Sequence, residues 1–239
     1  MNYIRIVKYA LYFKKLTRDF VGLMFPKVCI NCQTTLVHDE NYLCVKCRLS
    51  LPKTNYHLAH ENPLDLKFVY EPKFQKASSF LFFYKGGIAQ KIIHQIKYGG
   101  QQDLGILMGE LFGRELQEVN WPIDLIIPVP LHKTKLIRRG FNQSDLIAEG
   151  ISRETGWAYS TELVIRRRRT STQTKKSKVE RWKNIQSVYT LTRSNELSGK
   201  TVAVVDDVLT TGATIGELIT LLAQSGVKGI YVLTLAAGK

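Results

Sequence analysis

The sequence predicts an α/β fold: a mainly parallel sheet with helices on both faces, preceded by a small N-terminal metal-binding module. Three observations carry this. The run Val202 to Val205 is apolar at every position, as in a strand covered on both faces, and an apolar helix follows it after a short turn. Strand-like and helix-like segments alternate through the second two-thirds of the chain. All four cysteines fall between positions 29 and 47.

Residues 3 to 25 have the spacing of a basic amphipathic helix. Ile6, Tyr9, Phe13, Leu16 and Phe20 share one face, and Pro26 ends the pattern. Such a helix docks on its own domain or lies on a membrane surface or partner. The cysteines read Cys29-x2-Cys32-x11-Cys44-x2-Cys47, within a module spanning 26–52. Each pair presents two thiolates to one ion, and together they complete a closed tetrahedral site for structural Zn2+, with disulfides the weaker alternative. His38, between the pairs, is read as exposed rather than as a ligand.

Residues 51–76 are polar and irregular, with prolines at 52, 63 and 72, and read as a connector, with a short apolar segment at Phe68 to Tyr70, leading to a domain over 77–239. Ala77 to Tyr84 reads as a strand. Ile88 to Ile96 and Leu104 to Leu116 read as helices separated by Gly99-Gly100. Asp124 to Leu131 is a buried strand running into Pro128-Val129-Pro130, which stops ladder pairing and fixes a turn. Helix Ser144 to Thr155 and strand Thr161 to Ile165 complete a further βαβ unit. Residues 166–184 bury no core and read as a loop running into a short exposed helix. Ser187 to Leu191 and Ile230 to Leu235 read as strands.

The turn after Val205 holds Asp206, Asp207, Thr210, Thr211, Gly212, Ala213 and Thr214. A loop that opens a helix presents unpaired N–H groups and positive potential, and glycine allows close backbone approach, so the turn suits a phosphate monoester. The neighbouring carboxylates suit vicinal hydroxyls. A phosphate beside a diol is a ribose 5-phosphate. The bland account is that Asp206 and Asp207 end a strand and cap a helix.

The 239-residue chain has a net charge of +14. Residues 133–193 hold 15 Lys/Arg against 5 Asp/Glu, and residues 1–25 hold 5 against 1. Charge clustered in this way favours polyanions: nucleic acid, anionic membrane or polyphosphate. No run of 18 apolar residues exists, and Lys8, Lys14 and Lys15 interrupt any signal-peptide core, so a cytoplasmic protein is expected.

Val204 to Thr214 resembles the phosphoribosyl-diphosphate (PRPP) motif of type I phosphoribosyltransferases. The resemblance implies that Asp206 and Asp207 hold ribose hydroxyls and that residues 210–214 hold the 5-phosphate. It also implies a pyrophosphate loop at Pro128, Val129 and Pro130, to which Arg138 and Arg139 add charge, with Mg2+ bridging the pyrophosphate. The resemblance widens with Asp19 to Pro26 before the first cysteine pair, Ile127 to Leu131 and Arg139-Gly-Phe-Asn-Gln143. Arg169-Thr-x-x-Gln173 and Arg181-x-x-Asn184 complete the set. Together they are similar to the ComF family, competence-associated proteins with a zinc-binding N-terminus and a phosphoribosyltransferase domain. The run 175–178 is more basic than the family pattern.

That family implies natural transformation: single-stranded DNA handled at the inner face of the cytoplasmic membrane beside a helicase-like partner. Trp182, Phe141 and Tyr189, interleaved with the basic stretch, could stack bases. Three readings stand: a DNA-uptake factor with a working PRPP pocket, an enzyme transferring a phosphoribosyl group to an unidentified base or amine, and a PRPP-sensing regulator. No catalytic residue and no acceptor pocket is recognisable, so enzymatic activity is left open.

Overall fold

A computed structural model describes residues 26–37, 39–166 and 188–238. The predicted helix at 3–25, His38 and most of the basic stretch, 167–187, lie outside the described residues. The chain divides into two compact units, Met1–Leu51 and Pro52–Lys239.

In the first unit, a short bridge between Val28 and Thr35 closes the turn that holds Cys29 and Cys32, and the second cysteine turn follows it. Gln33 and Tyr42 adopt the left-handed conformation (φ 62° and 63°), which tightens the chain beside each cysteine pair. The Ile30 N–H donates to Tyr42 O at 2.9 Å and ties one turn to the other. Helix α1 (Val45–Leu49) carries Cys47 and is capped by Cys44, whose Sγ accepts from Cys47 N.

The second unit is built on strands β1 (Phe74–Phe82), β2 (Leu125–Pro128), β3 (Ala158–Tyr159), β6 (Thr201–Leu209) and β7 (Gly229–Ala237). They form one sheet in the order β1-β7-β6-β2-β3, and every pairing is parallel. Between them run α2 (Ile88–Tyr98), α3 (Gln102–Leu116), α4 (Lys133–Arg139), α5 (Gln143–Thr155) and α6 (Ala213–Ala223). Val202 and Val204 pack with Ile215, Leu218 and Leu222 of α6. Strand alternation turns Ala203 and Val205, both fully buried, to the opposite face, where α3 and α5 lie.

Helices α3 and α5 cross closely because glycines line the contact. A Cβ on Gly150 would stand 2.1 Å from Ile106 O, and one on Gly109 would stand 2.3 Å from Ile147 O. This crossing fixes α5, whose first turn reaches the site.

Two expectations fail. Thr161 to Ile165 does not join the main sheet. The edge strand is the two-residue β3, and β4 (Val164–Arg166) pairs antiparallel with β5 (Tyr189–Leu191) as a separate ribbon. Leu163, Val164 and Tyr189 are buried under it, which accounts for the apolar run. The segment 51–76 is not a bare connector either. Leu64 and Phe68 are each 1% exposed in the core, and Asp65 Oδ1 accepts from Ala77 N at 2.8 Å, fastening the segment to β1. No helix among the described residues is long and apolar enough to cross a membrane.

Candidate ribose-phosphate site and cysteine cluster

From β2 the chain moves outward to β3, and from β6 it moves outward to β7 on the other side. The two directions diverge between β2 and β6, so a crevice opens beyond the carboxyl ends of this pair, the place where open α/β sheets bind ligands. The β2–β6 pairing ends at Pro128 and Val205. Beyond it lie the loop 129–131 and the last residues of β6, 206–209, which stay paired with β7 and lead into the turn at 210–212, so the sequence-predicted turn after Val205 begins four residues later. The two segments start level, with Pro128 beside Val205, and Val129 N donates to Val205 O at 2.8 Å.

The crevice holds a cleft of about 190 Å3. Of the residues expected at a site, Val129, Pro130, Arg139, Asp206, Asp207 and Thr214 line it. Thr210, Thr211 and Gly212 form the turn leading into α6, and Ala213 is the first residue of that helix. Gly212 is left-handed (φ 82°) and caps the helix, and a Cβ there would meet the Phe68 ring at 3.1 Å. Lys67 Nζ donates to Thr210 O at 2.9 Å, holding the turn from outside. Pro128 ends β2 and lines a neighbouring cavity instead. Arg138 is exposed and does not line the cleft; consecutive helical residues point about 100° apart, so only Arg139 turns inward.

The two carboxylates are held differently. Asp206 Oδ1 accepts from Ser144 Oγ at 2.9 Å and from Asp207 N at 2.8 Å. Burial, then the Asp207 charge, pushes the Asp206 carboxyl up to about 7, against these donors and Lys97. Asp207 Oδ2 lies 2.5 Å from Lys97 Nζ at the end of α2. Arg139 stacks over the Tyr98 ring with its Cζ 5.4 Å from the centroid, and its Nη1 is buried without a hydrogen-bond partner among the described residues. Lys135 and Arg166 also line the cleft. A site with two carboxylates on one side and unsatisfied cationic donors on the other can take a ligand that is both polyhydroxylic and anionic.

Sequence reasoning gave no role to Lys97 or Ser144, and it read Arg166 only as the start of a basic loop that closes over the ligand. Each comes from an element remote in sequence, and the one local signal was Lys97 on the polar side of α2. It also misassigned Tyr189. That ring is 2% exposed, beneath the Arg166 guanidinium, and cannot stack on a base. Phe141 is half-buried, and Trp182 lies outside the described residues.

In the first unit, the ligand atoms of Cys29, Cys32, Cys44 and Cys47 all lie within 4.8 Å of one another. Cys32 Sγ and Cys44 Sγ are 3.6 Å apart. Tetrahedral zinc–thiolate bonds of about 2.3 Å require sulfur separations of roughly 3.8 Å, so the four thiols fit a metal ion. Hydrogen bonding to Thr34 pulls the Cys32 thiol down to about 6. The Asn31 side-chain amide donates to Cys47 Sγ at 3.4 Å. Glu40 accepts from Val37 N and Val45 N at 3.0 and 2.6 Å and ties the two turns together. Contacts of this kind orient the ligands in metal sites.

Residues 147–239 match the model of the phosphoribosyl transferase domain. The DNA utilization protein YhgH of Escherichia coli (strain K12) is 30% identical over 211 residues, covering 86% of this chain and 88% of that protein. Competence protein F of Haemophilus influenzae is 40% identical over 114 residues, covering 47% and 50%. Competence protein ComFC of Bacillus subtilis is 23% identical over 202 residues, covering 84% and 79%. Among solved structures, the glutamine phosphoribosylpyrophosphate amidotransferase of B. subtilis is 23% identical, with a TM-score of 0.41 over 54% of this chain and 25% of that one. The chain belongs to the ComF family of competence and DNA-utilization proteins, which carry a phosphoribosyl transferase domain.

Proposed function

We propose that this protein is a DNA-uptake and DNA-utilization factor that binds PRPP in the cleft between β2 and β6 and handles single-stranded DNA at the cytoplasmic face of the membrane. The observation that carries the reading is the carboxylate pair facing Arg139, Lys135 and Arg166 across one cleft, with the start of α6 at its edge. The ribose hydroxyls donate to Asp206 and Asp207. The 5-phosphate takes the first-turn amides of α6 with the Thr210, Thr211 and Thr214 hydroxyls. The pyrophosphate lies against the 129–131 loop and the Arg139 guanidinium. Mg2+ would sit on the pyrophosphate oxygens and supply charge neutralisation there. Zn2+ on the four cysteines holds the N-terminal unit together, since a module this small buries little apolar surface. The family relationship supports a helicase-like partner.

Support for DNA comes from the charge of residues 133–193 and from relatives named for competence and DNA utilization. The test is equilibrium binding of a labelled dT oligomer over a range of salt. Each phosphate neutralised on a single strand contributes about −0.7 to the log–log slope. Replacing Arg167, Arg168, Lys175 and Lys176 with Ala should weaken binding and flatten that slope by up to roughly 3 units. PRPP should compete with the oligomer if the same cations serve both anions. An unaltered slope would remove this stretch as the DNA site.

A further inference from the structure

A second cavity, of about 250 Å3, lies beside the ribose-phosphate cleft and shares Pro130, Leu131, Asn142 and Arg166 with it. Much of its wall is apolar, from Pro130 and Leu131 after β2, Leu136 on α4, and Val164 and Ile165 on β4, and Lys133 and Thr161 add polar groups. One carboxylate, Asp145, stands among them.

Asp145 lies in the first turn of α5, where an acidic residue ordinarily completes a capping box by accepting the backbone N–H of the N-cap. Here the contact is different. The side-chain amide of the N-cap, Asn142, spends its two hydrogens on Val129 O at 3.1 Å and on Asp145 Oδ1 at 2.6 Å. Asp145 Oδ2 has no hydrogen-bond partner and no cation pairs with the carboxylate among the described residues. Burial pushes this carboxyl up to about 6, with only the Asn142 amide opposing. The half-buried carboxylate thus keeps one oxygen free for a ligand's N–H, with Lys133 among the residues that line the same cavity, and a partly desolvated carboxylate without an ion-pair partner marks a candidate functional site. On the same cavity wall, Arg166 Nε is buried with no partner among the described residues.

A ligand for this cavity needs a flat apolar body, N–H donors for Asp145 and an acceptor for Arg166. A ring N–H beside an exocyclic amino group meets a carboxylate with two parallel hydrogen bonds, and a ring carbonyl accepts from a guanidinium. We propose that the cavity is a nucleobase site selective for a guanine-type edge, with Asp145 as its recognition group. The volume falls below the ~300–1,000 Å3 of sites for drug-sized ligands, so it admits a base but leaves the sugar outside. The base arrives free or projecting from a single strand, since unstacked bases expose this edge. The site does not depend on the ribose-phosphate reading, although the cavities share a wall.

The test titrates the full-length protein with 9-methylguanine and 9-methyladenine, and with dT heptamers carrying a central dG or dA. Guanine should bind at least ~10-fold tighter than adenine, and Asp145→Asn should abolish the preference, as expected for hydrogen bonds to a charged group. Ile165→Trp, which enlarges a lining side chain and leaves the carboxylate in place, should weaken both bases, with melting curves checking that each variant is folded. Discrimination among heptamers as well as free bases assigns the site to a strand; discrimination among free bases alone assigns it to a small molecule. Binding of neither base, or a preference retained in Asp145→Asn, overturns the proposal. PRPP titrated separately distinguishes the two readings: guanine binding without PRPP binding counts against the proposed function and leaves this site standing.

Discussion

Lys97 Nζ and Asp207 Oδ2 lie 2.5 Å apart, joining the last turn of α2 to the end of β6 across the cleft. The pair is largely shielded, with side chains 23% and 15% exposed. Under the proposed function the ribose hydroxyls would take the place of Lys97 at Asp207, and Lys97 would be freed for the pyrophosphate. Lys97→Met leaves Asp207 unpaired and should cost about 1–3 kcal/mol. Adding Asp207→Asn should recover part of that cost, giving a nonzero coupling in a double-mutant cycle. Chemical denaturation of the four proteins checks this; strictly additive effects would mean that the pair contributes nothing.

The pH dependence has a definite sign. Asp206 is pushed up to about 7 and Asp145 up to about 6 in the folded protein, against about 3.9 for an unfolded aspartate. The folded state therefore holds more protons between pH 4 and 7, and stability from these groups falls as pH rises through that window. The ligand-free melting temperature should decline from pH 5 to 8 more steeply in wild type than in Asp206→Asn. Asp145→Asn should flatten the lower part of the same interval. Parallel profiles for all three proteins would contradict the assignment.

At the α3–α5 crossing, Gly150→Ala would set a methyl 2.1 Å from Ile106 O and 2.7 Å from Glu110 N, which only helix separation can relieve. The expected loss is about 1–3 kcal/mol or more, and about 2–4 °C of melting temperature per kcal/mol for a domain of this size. Because α5 carries Ser144, PRPP affinity should fall as well. Thermal scans of Gly150→Ala beside the exposed control Gly100→Asn read both effects.

Metal analysis of the purified protein should give about one zinc per chain, because four thiolates close a structural site. Cys44→Ser should lose the metal and expose the first ~50 residues to proteolysis while the phosphoribosyl transferase domain keeps its melting transition. A metal-free protein with a protease-resistant N-terminal unit would contradict the assignment.

What the sequence disclosed was local. Val202 to Val205, the Asp206-Asp207 pair, the two prolines after Ile127 and the two Cys-x2-Cys spacings each carry their meaning within a few residues. What it hid depends on three-dimensional meeting. Lys97 and Ser144 reach the carboxylates only because α2 and α5 end at the same crevice. Strand β3 has two residues, too few for any period, so the stronger apolar run at Leu163 to Ile165 drew the prediction away from it. Phe68 was legible as part of a short apolar segment, but that its ring backs Gly212, 144 positions away, was not. The choice between Arg138 and Arg139 required the helical phase of α4.

The most direct test of the account is calorimetric titration of PRPP with Mg2+ into wild type and into Asp206→Ala/Asp207→Ala. The account predicts saturable binding near one per chain in wild type and a loss of at least ~10-fold in the double variant, from removal of hydrogen bonds to charged acceptors. Equal affinity in the two proteins, or no binding to wild type, would contradict it.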